Sequence, residues 1–330
     1  MTSSVRHLLL TSLSALPLAL AVSSARAASP PEILDIPGEK IFPESLTSTS
    51  DGAVIIGSIG QKQIYRVKPG SATAEVWIPA GTDGINNIFG VFADDRSSTL
   101  YACSNLLAPP GATPAVNATL YTFDLKSGKP EARYVFPTQN GFCNDIAVDA
   151  QGNAYATDTN NMEIVRLKKG GGALEVWAGN GDFGKPQDHG VLDGIAVVGK
   201  RVYANTLMTS KLFMVPIGAD GKAGAVAEVQ LDHPISRPDG MRSFGKSDVL
   251  IVEGGNGGRL ERIALNGATG KVTALKEGYP DGPVSVTVVG TTAYVLEGQL
   301  ASLMRKPGAP AEDTVPPKPF KATAVPVGKP

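Results

Sequence analysis

The chain has 330 residues, a formal net charge of −1, 42% hydrophobic and 18% charged residues. It is long enough for a large core, and it carries no basic stripe of the kind nucleic-acid binding needs. Its 38 glycines and 25 prolines imply many turns, and past the first thirty residues or so no apolar run is long enough to span a bilayer.

The first predicted element is a targeting segment. Arg6 and His7 precede "LLLTSLSALPLALAV", a run broken by Pro17, and "ARA" closes it at 25–27. A basic start, a short apolar stretch and a small-x-small site read as a leader peptide over residues 1–27. Cleavage leaves a domain over 28–330 of net charge about −3, since Arg6 and Arg26 leave with the leader. The expected location is periplasmic or extracellular, with no membrane span remaining.

Six units then follow one another. Each opens with an apolar strand, a Gly or Asp turn and a second apolar strand: "FPESLTSTSDGAVIIGS", "IFGVFADDRSSTLYACS", "FCNDIAVDAQGNAYATD", "VLDGIAVVGKRVYANTL", "RPDGMRSFGKSDVLIVEGG" and "GPVSVTVVGTTAYVLEG". A third strand follows each, as in "QIYRVKPG", "EIVRLKKGG" and, for the last unit, "SLMRKPG". Most units add a fourth, such as "AEVWIPAG" and "LEVWAG". Six units about 45–55 residues apart, four strands each and no convincing amphipathic helix, predict an all-β fold, a six-bladed β-propeller. The last unit lacks an evident fourth strand. "PEILDIPG" behind the leader and "PFKATAVPV" near the C-terminus are rival candidates to close the ring, and the Pro-rich segment 307–319 reads as irregular linker.

Inner-strand starts of a propeller converge on one rim of the central channel. Here they carry Glu44, Phe89, Asn144, Asp193, Asp239 and Val284. Singly, Asp-Gly and Asn-Asp pairs read as turn residues. Their recurrence at one repeat position points instead to ligands. Three carboxylates at one mouth repel one another unless one is protonated or a cation sits among them. Glu44, Asn144, Asp193 and Asp239 form an all-oxygen set suited to Ca²⁺, with other divalent cations compatible. A three-His zinc site is excluded, because only His189 and His233 remain after the leader.

Other residues fall at the same rim. Ser104, Asn105, Asp158, Asn205, Thr206, Glu253 and Glu297 end second strands, where they orient ligands or simply cap strands and turns. His189 lies four residues before Asp193, in a loop near the rim. Cys103 ends the second strand of blade two and Cys143 starts the inner strand of blade three. In an exported chain this neighbouring placement predicts a disulfide, against the alternative of two buried thiols.

The repeats resemble the SMP-30/gluconolactonase/LRE-like family of six-bladed propellers over about residues 33–310. "FPESLT", "CNDIAVDAQGNAYATD", "LDGIAV" and "RPDGM" are similar to its blade motifs, with Asp193 where Asn is more usual. The resemblance implies one divalent metal, often calcium, held by Glu44, Asn144, Asp193 and Asp239. It also implies lactone hydrolysis, with Asp239 as both ligand and general base. Sugar-lactone members often place Arg two residues before the blade Asn; here Phe142 stands there. With Phe89 it predicts an apolar rim and a less polar lactone or activated ester, in a pocket to which His189 and Asn105 contribute. The alternative is a non-catalytic, metal-stabilised propeller that binds a small ligand or a protein partner.

Overall fold

The computed structural model of the protein describes residues 30–107, 118–179, 181–184, 191–255, 257–303 and 317–330, together with Met1. Apart from Met1, the leader lies outside these residues, as do His189, most of the long loop after Asn105 and most of the Pro-rich segment.

Six sheets, antiparallel apart from one short edge strand, form a six-bladed β-propeller, five of four strands and one of five. The inner strands are Pro43–Ser48, Asn87–Asp94, Cys143–Val148, Leu192–Val198, Pro238–Phe244 and Pro283–Val289. Packed on both faces, they read as near-continuous apolar or small runs; Cys143–Val148 is buried at every position. Outer strands meet solvent, and Pro130–Val135 is exposed or half-exposed throughout.

The ring closes differently from either simple expectation. Both terminal segments enter the last blade, whose order is Ile33–Ile36, Phe320–Pro326, Thr292–Glu297, Pro283–Val289. "SLMRKPG" is not its third strand: Leu300–Leu303 is a short helix, and Phe320–Pro326 takes that place. The first strand pairs with the last from Ile33↔Thr323 to Ile36↔Phe320, so the two chain ends latch the ring. Leu34, Ile36, Leu46 and Ile56 pack against Leu296, Phe320 and Ala322 across the same seam. A second departure concerns "AEVQL". Ala227–Glu228 completes blade four, while Gln230–Leu231 crosses to pair in parallel with the outer strand of blade five, Thr269–Glu277.

An inner strand has one edge with no sheet partner, and its N–H groups need acceptors. Hydroxyls from the neighbouring blade supply several. Ser45 Oγ accepts from the Val91 N–H at 3.2 Å, and Thr47 Oγ1 from the Ala93 N–H at 3.1 Å. These bonds fix one blade's register against the next, and so fix where the inner-strand starts meet.

Candidate metal centre at the channel mouth

Each inner strand carries a bulge at its start. Pairing with the second strand slips between Pro43 and Ser45, Ile88 and Val91, Cys143 and Ile146, Leu192 and Ile195, Pro238 and Met241, and Pro283 and Ser285. The residues inside the bulges include Glu44, Asn144, Asp193 and Asp239. A bulge releases a side chain from strict alternation and re-aims it. The Asp-Gly pairs are therefore strand bulges, not turns. The glycines serve close approach: a Cβ on Gly194 would lie 2.3 Å from the Asp239 carbonyl, and one on Gly240 2.6 Å from that of Val284.

The chain enters three of these strands through left-handed residues two positions ahead. Phe42 (φ 43°), Val191 (φ 56°) and Arg237 (φ 51°) precede Glu44, Asp193 and Asp239. Their carbonyls accept from the N–H groups of Ile59, Leu207 and Gly254 at 2.9–3.1 Å. For β-branched Val191 this conformation costs on the order of 1–3 kcal/mol, and surrounding bonds enforce it.

Carboxylate oxygens of Glu44, Asp193 and Asp239 lie within 4.8 Å of one another. Glu44 and Asp193 are buried and Asp239 is half-buried. At that separation each charged pair costs roughly 3–4 kcal/mol at an effective dielectric near 20. Three such pairs rival the whole stability of a domain, so the bare cluster holds protons. Burial, then the charges of Asp193 and Asp145, push the Glu44 carboxyl well above its usual range, with Arg242 pulling it back. Burial first and Asp145 next push Asp193 up to about 7. Burial, then Asp193 and Glu44, raise Asp239 well above its usual range.

Two buried oxygens at this mouth, Asn144 Oδ1 and Asp193 Oδ1, have no hydrogen-bond partner. An unpaired buried acceptor is costly. The Asn144 amide is oriented: its Nδ2 donates to Thr159 Oγ1 at 3.2 Å, and that hydroxyl donates to the Leu192 carbonyl at 2.6 Å. Three carboxylates and a fixed neutral carbonyl oxygen fit a hard divalent cation such as Ca²⁺.

Several expected rim residues hold backbone. Asn105 clamps Cys143 reciprocally, its Nδ2 donating to the Cys143 carbonyl at 2.8 Å and its Oδ1 accepting from the Cys143 N–H at 3.0 Å. Asn205 Nδ2 donates to the Asp239 carbonyl at 2.7 Å. Asp158 Oδ1 accepts from the Phe142 N–H at 3.0 Å. Cys103 and Cys143 form a disulfide with Cα atoms 5.1 Å apart, tying blade two to blade three one residue before Asn144.

Sequence reasoning missed the layer beneath. Arg242 and Asp145 are buried and joined, Nη1 lying 2.8 Å from Oδ2. The same guanidinium donates to Ser45 Oγ (3.2 Å), the Leu46 carbonyl (3.2 Å) and the Val91 carbonyl (3.1 Å). One side chain thus ties blade five to blades one, two and three across the channel. The signal was an arginine in the middle of an inner strand, three residues after Asp239.

A cavity of ≈ 560 Å³ opens over blades four to six and includes Asp239 in its wall. Leu207, Pro283, Val284 and Leu300 give it apolar surface, and Arg237, Asp281 and Lys318 are charged residues on its rim. The expected pocket residues Phe89, Phe142 and Asn105 are not among its described walls. Phe89 and Phe142 pack edge to face at 4.7 Å, and Leu300 and Leu303 close over their cluster.

Comparison with protein-family models finds no match, and comparison with curated proteins finds none. Among solved structures, the chain is similar to a gluconolactonase from Xanthomonas campestris, with TM-score 0.60 and 12% identity over 89% of each chain. It is similar to a luciferin-regenerating enzyme, with TM-score 0.60 and 12% identity over 90% of this chain and 96% of that one. At the level of fold it matches the SMP-30/gluconolactonase family. The same fold also serves other chemistry: a PQQ-bound aldose sugar dehydrogenase from Streptomyces coelicolor aligns with TM-score 0.57 and 16% identity, over 90% of this chain and 99% of that one. At such identities the SMP-30/gluconolactonase likeness is one of fold, and function rests on the site.

Proposed function

We propose that this chain is an exported, metal-dependent hydrolase of a lactone or an activated ester. The observation that carries the reading is the convergence of Glu44, Asp193 and Asp239 with the unpaired Asn144 oxygen, beside an open cavity. These four side chains would hold the cation. When bound, a divalent ion such as calcium supplies positive charge that polarises an ester carbonyl and offsets the developing oxyanion.

The rest is the work of the chain. Asp239 is the one cluster carboxylate in the cavity wall, so its oxygen takes the proton of an attacking water. Asn205 holds the Asp239 backbone, and the Gly240 N–H donates to Asp239 Oδ1 at 2.9 Å, fixing which oxygen faces the ligand. Asn144 contributes an oxygen without a fourth negative charge. A carboxylate shared with a cation is a weak base, so strained lactones and activated esters are substrates and amides are not. The cavity volume suits a small molecule. Export is supported by the disulfide, which persists in oxidising compartments. No helix among the described residues is long and apolar enough to cross a membrane.

A panel of lactones and aryl esters, assayed with calcium and with chelator, tests this. Calcium-dependent turnover of at least one member is expected. No turnover under any divalent metal would leave a metal-stabilised binding protein in its place.

A further inference from the structure

The cavity beside Asp239 has four ionic groups in its described wall: Arg237, Asp239, Asp281 and Lys318. Lys318 Nζ lies 2.7 Å from Asp281 Oδ1, so these two satisfy each other. Asp239 belongs to the carboxylate cluster. That leaves the Arg237 guanidinium, which has no ion-pair or hydrogen-bond partner among the described residues, while its own backbone is pinned. The Arg237 N–H donates to Ser210 Oγ at 3.0 Å, and its carbonyl accepts from Gly254 at 2.9 Å.

The ring of equivalent positions sharpens the point. Two residues ahead of the six inner-strand starts stand Phe42, Asn87, Phe142, Val191, Arg237 and Gly282. Only one of the six is charged, and it lies in the blade that carries Asp239. A planar guanidinium recognises a carboxylate through two parallel N–H bonds. Beside the apolar Leu207, Pro283, Val284 and Leu300, the other polar side chains of the described wall are Gln299 and Ser302, which are neutral, so Arg237 is the unpaired cation there.

Resting on the hydrolase reading above, we infer that Arg237 is a specificity-determining residue that binds a carboxylate carried by the substrate, so that the preferred substrate is an anionic lactone or ester. The anionic end sits at the Arg237 rim and the ester carbonyl at the Asp239 end of the same cavity.

The experiment uses the calcium-loaded mature protein and two probes that differ only in charge, γ-butyrolactone-γ-carboxylate and the matching γ-carboxamide. The wild type should favour the carboxylate in kcat/KM by about tenfold, the low end for a charge-assisted bond because the guanidinium stays wet. The preference should reside mainly in KM and shrink with added salt. Arg237→Met should abolish it, Arg237→Lys should keep part of it, and Arg237→Glu should reverse it, with melting temperatures confirming that each variant folds. In parallel, calorimetry measures binding of the open-chain hydroxy diacid and its monoamide. A diacid preference in the wild type that Arg237→Met removes sustains carboxylate binding at Arg237 even without turnover of either lactone, and the hydrolase reading is then overturned if the wider panel of lactones and aryl esters is not turned over either. Equal kcat/KM and equal binding for the charged and neutral probes, or a preference that survives Arg237→Met, overturns the inference and leaves the hydrolase reading standing.

Discussion

Raising the pH of the calcium-free protein from about 5 to about 8 should lower its Tm. The sign follows from the cluster. In the unfolded chain Asp193 titrates near the ordinary value of about 3.9; in the fold it is pushed up to about 7. Between those values the native state binds more protons than the unfolded state, so stability falls as pH rises. The penalty is absent below about pH 4 and complete above about pH 7. For Asp193 the gap corresponds to at most about 4 kcal/mol, at about 1.4 kcal/mol per pH unit. The part of that gap crossed between pH 5 and pH 7 is about 3 kcal/mol, and at about 2 °C per kcal/mol for a domain of this size that is a fall of about 6 °C. Glu44 and Asp239 shift in the same direction and add to the slope. Glu253, pushed up to about 8 by burial and then by Glu261, adds a like-signed fall over an overlapping range that ends near pH 8. The decisive reading is therefore the difference between wild type and Asp193→Asn, followed by scanning calorimetry in chelator. The variant should show a distinctly shallower fall. Calcium should act oppositely, stabilising more as pH rises, because the carboxylates must lose protons to bind it. A calcium-free Tm that is flat or rises over this range, or an equally steep fall in Asp193→Asn, would refute the reasoning.

Asp239→Asn keeps an oxygen ligand and removes the base, so hydrolysis should drop by about 10²–10⁴-fold and stay low at saturating calcium; recovery to wild-type turnover would make Asp239 a ligand only. Asn144→Ala should weaken calcium binding and recover part of its activity at high calcium, which a calcium titration of initial rates will show. Replacing Cys103 and Cys143 by serine removes a cross-link over 40 residues, worth about 3–4 kcal/mol by loop entropy. The Tm should fall by several degrees, and mass analysis of the unreduced wild type should find no free thiol. Arg242→Met leaves Asp145 buried and unpaired and should cost about 3–5 kcal/mol in denaturant unfolding; adding Asp145→Asn should return part of that loss.

The propeller was legible because its signal repeats. Each blade restates the same strand pattern at the same spacing, so six weak readings support one another. The convergence of Glu44, Asp193 and Asp239 was legible for the same reason: one repeat position maps to one rim. The disulfide followed once Cys103 and Cys143 fell on adjacent blades at that rim. Ring closure was not legible, because strand Phe320–Pro326 is separated in sequence from its partner Thr292–Glu297 by a short helix and a Pro-rich segment. Local pattern cannot say which distant segment latches an edge. The bulges were hidden because Asp-Gly has the composition of a turn; only the close approach of neighbouring strands shows why glycine stands there. Arg242 was hidden because a buried charge is identified by partners on three other blades, and none is near it in sequence. The cavity beside Asp239 was not legible either, because Leu207, Arg237, Pro283 and Leu300 reach it from separate blades and from the short helix.

The most direct test of the metal centre is calorimetric titration of the chelator-stripped protein with calcium, comparing wild type, Glu44→Gln and Asp193→Asn at neutral pH. Each substitution removes one negative charge and keeps an oxygen at the mouth. The wild type should bind one calcium ion per chain, with protons released on binding. Both variants should bind at least about tenfold more weakly, since affinity at such sites follows ligand charge. Undiminished calcium affinity in both variants would contradict a centre built from Glu44, Asn144, Asp193 and Asp239.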